Sequence, residues 1–304
     1  MATRPARRLK AWSDAAIGAI TVAALKVLRR LDRKRTANFF GRLMRLVGPW
    51  LPEHKVGREN LKAAFPAKPA QEIETILAGV WENLGRVGAE FAHLDRFKLS
   101  DVGLGRGGDV VYDQASLDRF DTIRASGKPT IFFAAHLANW EIPALAPPAF
   151  NIKSSLLFRR PNIGAISDAV IEMRKGCMGT LIPTGLDAPI RLANAIERGE
   201  LVGALVDQHF VKGVDVLFFG RWAKANPLLA QLARHTECPI RGVRIVRNPD
   251  GNSFWGEVTD EIELERDADS KVDIQGTMQV ITRVVEGWIR EHPEQWLWLH
   301  RRWR

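Results

Sequence analysis

From residue 36 to about residue 100 the apolar positions recur three and four apart. Phe39, Phe40, Leu43, Leu46 and Val47 form one such series, and Ile73, Ile76, Leu77, Val80, Trp81 and Leu84 form a second that opens near Pro69. Both spacings predict helices, the second with proline near its N-terminus. Gly103, Gly105, Gly107 and Gly108 then predict a loop or the entry to a strand. Beyond them the rhythm changes. Short apolar runs at 130–133, 155–158, 201–206 and 240–246 read as buried strands, and longer helical stretches lie near 163–175, 186–198 and 225–235. Alternation of this kind predicts an α/β fold, a mainly parallel central sheet flanked by helices. Residues 253–264 alternate and predict an added antiparallel strand, and 272–291 predict a closing amphipathic helix. Without a repeat or an obvious linker, 36–304 read as a single α/β domain.

The first 35 residues differ. Ala15 to Leu25 carry no charge, Lys26 interrupts, and Val27 and Leu28 extend the run. Crossing a bilayer takes about 20 apolar residues, so this run is short. Arg4, Arg7, Arg8 and Lys10 precede it, and Arg29, Arg30, Arg33, Lys34 and Arg35 follow. Basic residues on both sides predict an N-terminal helical membrane-associating segment on an anionic leaflet, lying in the interface or tilted into it. A cleaved signal peptide fits poorly, because positive charge after the apolar run opposes export. An ordinary buried helix with a basic face is the plainer alternative.

Charge sharpens this picture. The net is +9, yet residues 1–62 hold 15 basic and 4 acidic side chains, and residues 63–304 hold 29 and 31. The basic character belongs to one end. A nearly neutral body offers no continuous groove for nucleic acid. With 46% hydrophobic and 26% charged residues, the chain is neither a disordered tail nor a polytopic membrane protein. Ten Trp against one Tyr favour contact with a membrane interface. Cys177 and Cys238 make neither a disulfide framework nor a four-thiolate zinc site, and a reducing compartment suits them.

Candidate chemistry is sought at the C-terminal ends of the strands. The run 131–141 reads IFFAAHLANWE and places His136 where a strand ends, with Glu141 five residues on. On one continuous helix those side chains would not share a face. A turn between them, with a helix starting near Asn139 as N-cap, would let the Glu141 carboxylate hold one His136 nitrogen. The other nitrogen is then a general base. No GxSxG elbow is present, so the base must act on a substrate hydroxyl. Neither HExxH nor CxxC occurs, and no metal or redox cofactor is expected. Arg159, Arg160 and Arg174 are candidate phosphate forks. Asp207 and Gln208 end the strand 201–206, where a carboxylate can orient an arginine, bind an acceptor or simply cap a turn.

Around these residues the chain resembles the bacterial lipid A late acyltransferases, of the glycerolipid acyltransferase superfamily. The resemblance covers Arg58-x-Asn60-Leu61, Ala64-Phe65-Pro66, His136 to Glu141, Phe158 to Asn162, Val206-Asp207-Gln208, Phe218-Phe219-Gly220 and Pro293 to Arg302. It implies transfer of a fatty acyl group from an acyl carrier protein thioester to a hydroxyl of a lipid A precursor at the cytoplasmic face of an inner membrane. His136 would be the base, Glu141 its partner, and the arginines after the first motif would bind the acceptor. Rival readings are a different acceptor (a lysophospholipid, an aminolipid or a glycolipid) and a non-enzymatic membrane or nucleic-acid binding protein. One departure stands out. After Gly220 the family shows small residues, whereas Arg221, Trp222 and Lys224 are bulky and are expected to reshape the substrate pocket.

Overall fold

The helical spacing of the first hundred residues becomes four helices in the computed structural model: α1 (Arg4–Leu28), α2 (Arg33–Val47), α3 (Pro52–Ala64) and α4 (Ala70–Glu90). The structure describes residues 4–100, 108–161 and 163–303. The glycines at 103, 105 and 107, and Asn162 of the arginine-rich segment, lie outside the described residues. Asp32 starts α2 by accepting the Arg35 amide at 2.8 Å, so the boundary expected at residue 35 falls inside that helix. Pro69 occupies the N-cap of α4. The α2 and α4 helices approach closely through glycine. A Cβ at Gly85 would overlap the Phe40 carbonyl, and one at Gly41 would meet Arg86.

The rest alternates as the sequence predicts. In order come β1 (Val110–Tyr112), α5 (Gln114–Ser126), β2 (Ile131–Ala134), α6 (Ala146–Ala149), β3 (Ser154–Phe158), α7 (Gly164–Lys175), β4 (Thr180–Pro183) and α8 (Ala188–Glu197). They continue with β5 (Leu201–Leu205), β6 (Val214–Phe218), β7 (Arg221–Ala225), α9 (Leu228–Thr236), β8 (Ile240–Arg247), β9 (Phe254–Glu261) and α10 (Ile274–Glu291). Seven strands form one sheet in the order β1-β9-β8-β2-β5-β3-β4. Every neighbouring pair is parallel except β8 with β9, so the added antiparallel strand is present. The β6–β7 hairpin, which the apolar runs did not signal, forms a separate two-stranded sheet.

Side-chain alternation on β2 sets the layers. Ile131 and Phe133 enter one hydrophobic cluster, where Phe133 stacks on Trp288 of α10 with centroids 5.6 Å apart. Phe132 and Ala134 enter the cluster on the other face with Phe120 of α5. Full burial of a large apolar side chain contributes about 1.5–3 kcal/mol. Met278, Ile281, Val285, Trp288 and Ile289 are all buried, which makes α10 a main cover of its face.

Three expectations need correction or placement. No helix begins at Asn139. Ala138 takes a left-handed φ of 47°, and a 3-10 turn, Ile142–Leu145, leads into the short α6. Pro147 and Pro148 stand in its first turn, where proline is tolerated, and just beyond it Asn151 takes a left-handed φ of 57°. The Trp-rich end, where the excess of Trp favoured a membrane interface, turns Trp296, Trp298 and Arg302 inward and leaves Arg301 exposed. Finally, α1 lies against α7, with Gly18 beside Ala165 and Ile163. No described helix is long and apolar enough to cross a membrane.

Candidate active site

Strand parity delivers His136 to the Phe132–Ala134 side of the sheet, two residues beyond the end of β2. The parallel register pairs Ala134 with Leu205 on β5. Two residues further on each strand stand His136 and Asp207. The Asp207 carboxylate receives the His136 ring Nδ1 at 2.8 Å and the His136 backbone N–H at 2.9 Å. Trp296 Nε1 donates to it as a third partner at 2.6 Å. The Asp207 side chain is wholly buried. Burial opposes its ionisation, but the His136 imidazole and the hydrogen bonds outweigh that penalty and hold the carboxyl well below the usual carboxylate range.

The partner of His136 is therefore Asp207, not Glu141. Glu141 was expected to reach the ring from a helical first turn, and that helix is absent. Its carboxylate instead accepts a two-point fork from Arg174, Nε at 2.9 Å and an Nη at 2.5 Å. The guanidinium also lies over the Phe91 and Phe158 rings. Arg174 is thus occupied rather than open to a phosphate. Asp207, being fully buried, cannot touch an acceptor, and its candidacy as a binding residue falls away. Both members of the Glu141–Arg174 pair still line the same cavity as His136.

With Asp207 accepting from Nδ1–H, the neutral His136 ring carries its free lone pair on Nε2. That nitrogen faces Gln208, whose Nε2 is 3.3 Å away. At this separation the contact is weak and a substrate hydroxyl can replace it. The cavity beside the ring measures about 690 Å³. Buried Phe120, Phe132, Met178, Leu201 and Val243 line it, as do Leu156 and Gly203. Exposed Arg159, Arg160, Gln208 and Phe210 line it too. Arg159 and Arg160 have no ion pair among the described residues. Of the bulky stretch 221–228, Asn226 alone lines the cavity among the described residues, so Arg221, Trp222 and Lys224 do not shape it directly.

The turn that carries His136 is tied down from behind. A left-handed non-glycine residue costs roughly 1–2 kcal/mol, and Ala138 is held there by two bonds. Its N–H donates to the Gln295 carbonyl at 2.9 Å, and its carbonyl accepts from Asn83 at 3.0 Å. Asn139 donates to Glu90 at 2.8 Å. Glu90 is itself bound at both oxygens by the buried Arg247, at 2.6 and 2.9 Å. The Leu297 N–H donates to the His136 carbonyl at 3.1 Å. Sequence reasoning missed Trp296, Glu90, Arg247 and Gln295 as supports. Gln295 and Trp296 belong to a motif that was noticed, but nothing local in the sequence links that motif to His136.

Comparison with known proteins gives one family. The family described as bacterial lipid A biosynthesis acyltransferase has a sequence model that matches residues 6–304. The search of curated proteins found no match.

Proposed function

The chain belongs to the bacterial lipid A biosynthesis acyltransferase family, and on that premise we propose that it moves a fatty acyl group from an acyl carrier protein thioester to a hydroxyl of a lipid A precursor. The observation that carries this reading is His136, with Nδ1 held by Asp207 and Nε2 facing a large, mainly apolar cavity.

In this reading Nε2 takes the proton of the acceptor hydroxyl as its oxygen attacks the thioester carbonyl carbon. The new C–O bond forms and the C–S bond breaks. The imidazolium then returns its proton to the departing thiolate, leaving an ester and a free thiol. General-base help of this kind contributes about 10²–10⁴ in rate. Asp207 orients the ring and stabilises the imidazolium that forms, while Glu141 and Arg174 wall the site. The cavity takes the acyl chain. From Leu205 to Leu201 the strand runs roughly 13 Å, and with C–C bonds near 1.5 Å an extended chain of on the order of ten carbons fits that length. Arg159 and Arg160 meet acceptor phosphate. Because lipid A precursor is a bilayer lipid and the donor a soluble protein, the reaction belongs at the cytoplasmic face of an inner membrane, with residues 1–35 on its anionic surface.

The test is direct. Full-length protein is mixed with acyl carrier protein thioester and lipid A precursor, and the lipid is weighed by mass spectrometry. Wild type should add one acyl chain and His136→Ala should add none. Equal product from both chains removes the mechanism. Product on a lysophospholipid, an aminolipid or a glycolipid but not on the precursor keeps the chemistry and replaces the acceptor.

A further inference from the structure

Among the helices on the surface, α2 carries large apolar side chains on its outer face as well as its inner one. Against α4 it buries Thr36, Ala37 and Gly41. Outward it presents Phe39 at 61% exposure, Leu43 at 37% and Leu46 at 66%, and Trp50 in the following turn is 79% exposed. At 3.6 residues per turn, Arg35, Phe39, Arg42, Leu43 and Leu46 share an arc of about 100°. A helix on a water-exposed surface normally does the reverse, with its large apolar side chains inward. An apolar stripe rimmed by cations marks a face that rests on something.

We propose that this face of α2, continued by Trp50, is a docking surface for an anionic bilayer. Charge selects the occupant. α2 contains no acidic residue. Arg29, Arg33 and Arg45 are matched to Asp95, Asp109 and Glu82, whereas Arg30, Arg35 and Arg42 have no ion pair among the described residues. Unmatched arginines interleaved with Phe39 and Leu46 suit lipid phosphates above acyl chains, the chemistry of an interfacial helix. A second copy of the chain suits the face poorly. Two-fold pairing would set Arg35 and Arg42 against the same face of the other copy, where the helix holds no carboxylate to offset them. The surface therefore extends beyond residues 1–35. It rests on the proposed function's premises that the acceptor is a lipid and that residues 1–35 lie on an anionic membrane surface.

The experiment uses the full chain and flotation with phosphatidylcholine vesicles, with and without phosphatidylglycerol. Combining Phe39→Ser, Leu46→Ser and Trp50→Ser should weaken partition onto phosphatidylglycerol vesicles at least tenfold at an unchanged unfolding midpoint. Arg35→Gln with Arg42→Gln, a gentler change, should reduce the preference for phosphatidylglycerol severalfold, the remaining basic residues of 1–35 carrying the rest. Unchanged flotation of the triple variant overturns the proposal, and so does a lipid preference in the double variant equal to that of wild type. A wild-type dimer in sedimentation that the triple variant converts to monomer overturns it in favour of a second copy. Flotation needs no acyl transfer, so its failure is distinguishable from failure of the proposed chemistry.

Discussion

Asp207 stands 2.8 Å from Nδ1 of His136 across a sequence separation of 71 residues. The same carboxylate also takes the His136 backbone N–H and the Trp296 indole N–H. This carboxylate, rather than the one five residues along the chain, fixes the tautomer on which base chemistry at Nε2 depends.

Asp207→Asn tests that directly. The amide keeps the volume but no longer demands a proton on Nδ1, so the wrong tautomer becomes populated. Turnover should fall about 10²–10⁴-fold with little change in the KM for either substrate. A variant as active as wild type would remove Asp207 from the mechanism.

Acid stability carries the same signature. The Asp207 carboxyl is held lower in the folded chain than the roughly 3.9 of an unfolded one. Its contribution is therefore complete above that unfolded value and is lost as pH falls below it toward the folded one. Urea midpoints measured from pH 6 down to pH 3 should drop more steeply for wild type than for Asp207→Asn. Parallel curves would contradict the assignment.

Glu141 and Arg174 should behave as a pair. Both are mostly shielded, with side-chain exposures of 9% and 16%. Leaving either charge without its partner costs about 3–5 kcal/mol. Arg174→Met should therefore destabilise the fold by an amount of that order. Adding Glu141→Gln to it should recover part of the loss, which a double-mutant cycle of unfolding free energies reads out.

At the exposed cavity residues the expected change is in binding. Arg159→Gln with Arg160→Gln should raise the acceptor KM tenfold or more and leave kcat nearly unchanged, because the lost contacts are with phosphate rather than the reacting atoms. Steady-state kinetics against a phosphate-free acceptor analogue should show no such difference.

Gly203 sits in the cavity wall, where an added Cβ would come 2.9 Å from Leu156 Cδ2. Gly203→Val should shorten the space for an acyl chain and shift preference toward shorter thioesters. Competition between donors of different length, read by mass spectrometry, measures the shift.

The sequence by itself determined most of the strands and helices, though not the β6–β7 hairpin or the turn after His136. Apolar runs and three-four spacing report burial, and burial follows local pattern; α10 and β9 lie close to where that pattern put them. It also placed His136 at a strand end, since that needs only the limits of the strand. Tertiary structure decided what meets His136. Parallel neighbours β2 and β5 lie 70 residues apart in the chain, and no local periodicity states their register. That register, Ala134 opposite Leu205, brings Asp207 to the ring. The left-handed turn at Ala138 and the 3-10 turn after Glu141 replace the expected helix, so Glu141 is left to Arg174. The outer apolar face of α2 was hidden for a related reason. Spacing names the apolar positions of a helix, but the close approach of α2 to α4 at Gly41 and Gly85 decides which of them face inward, leaving Phe39, Leu43 and Leu46 outside while Met44 packs on the core.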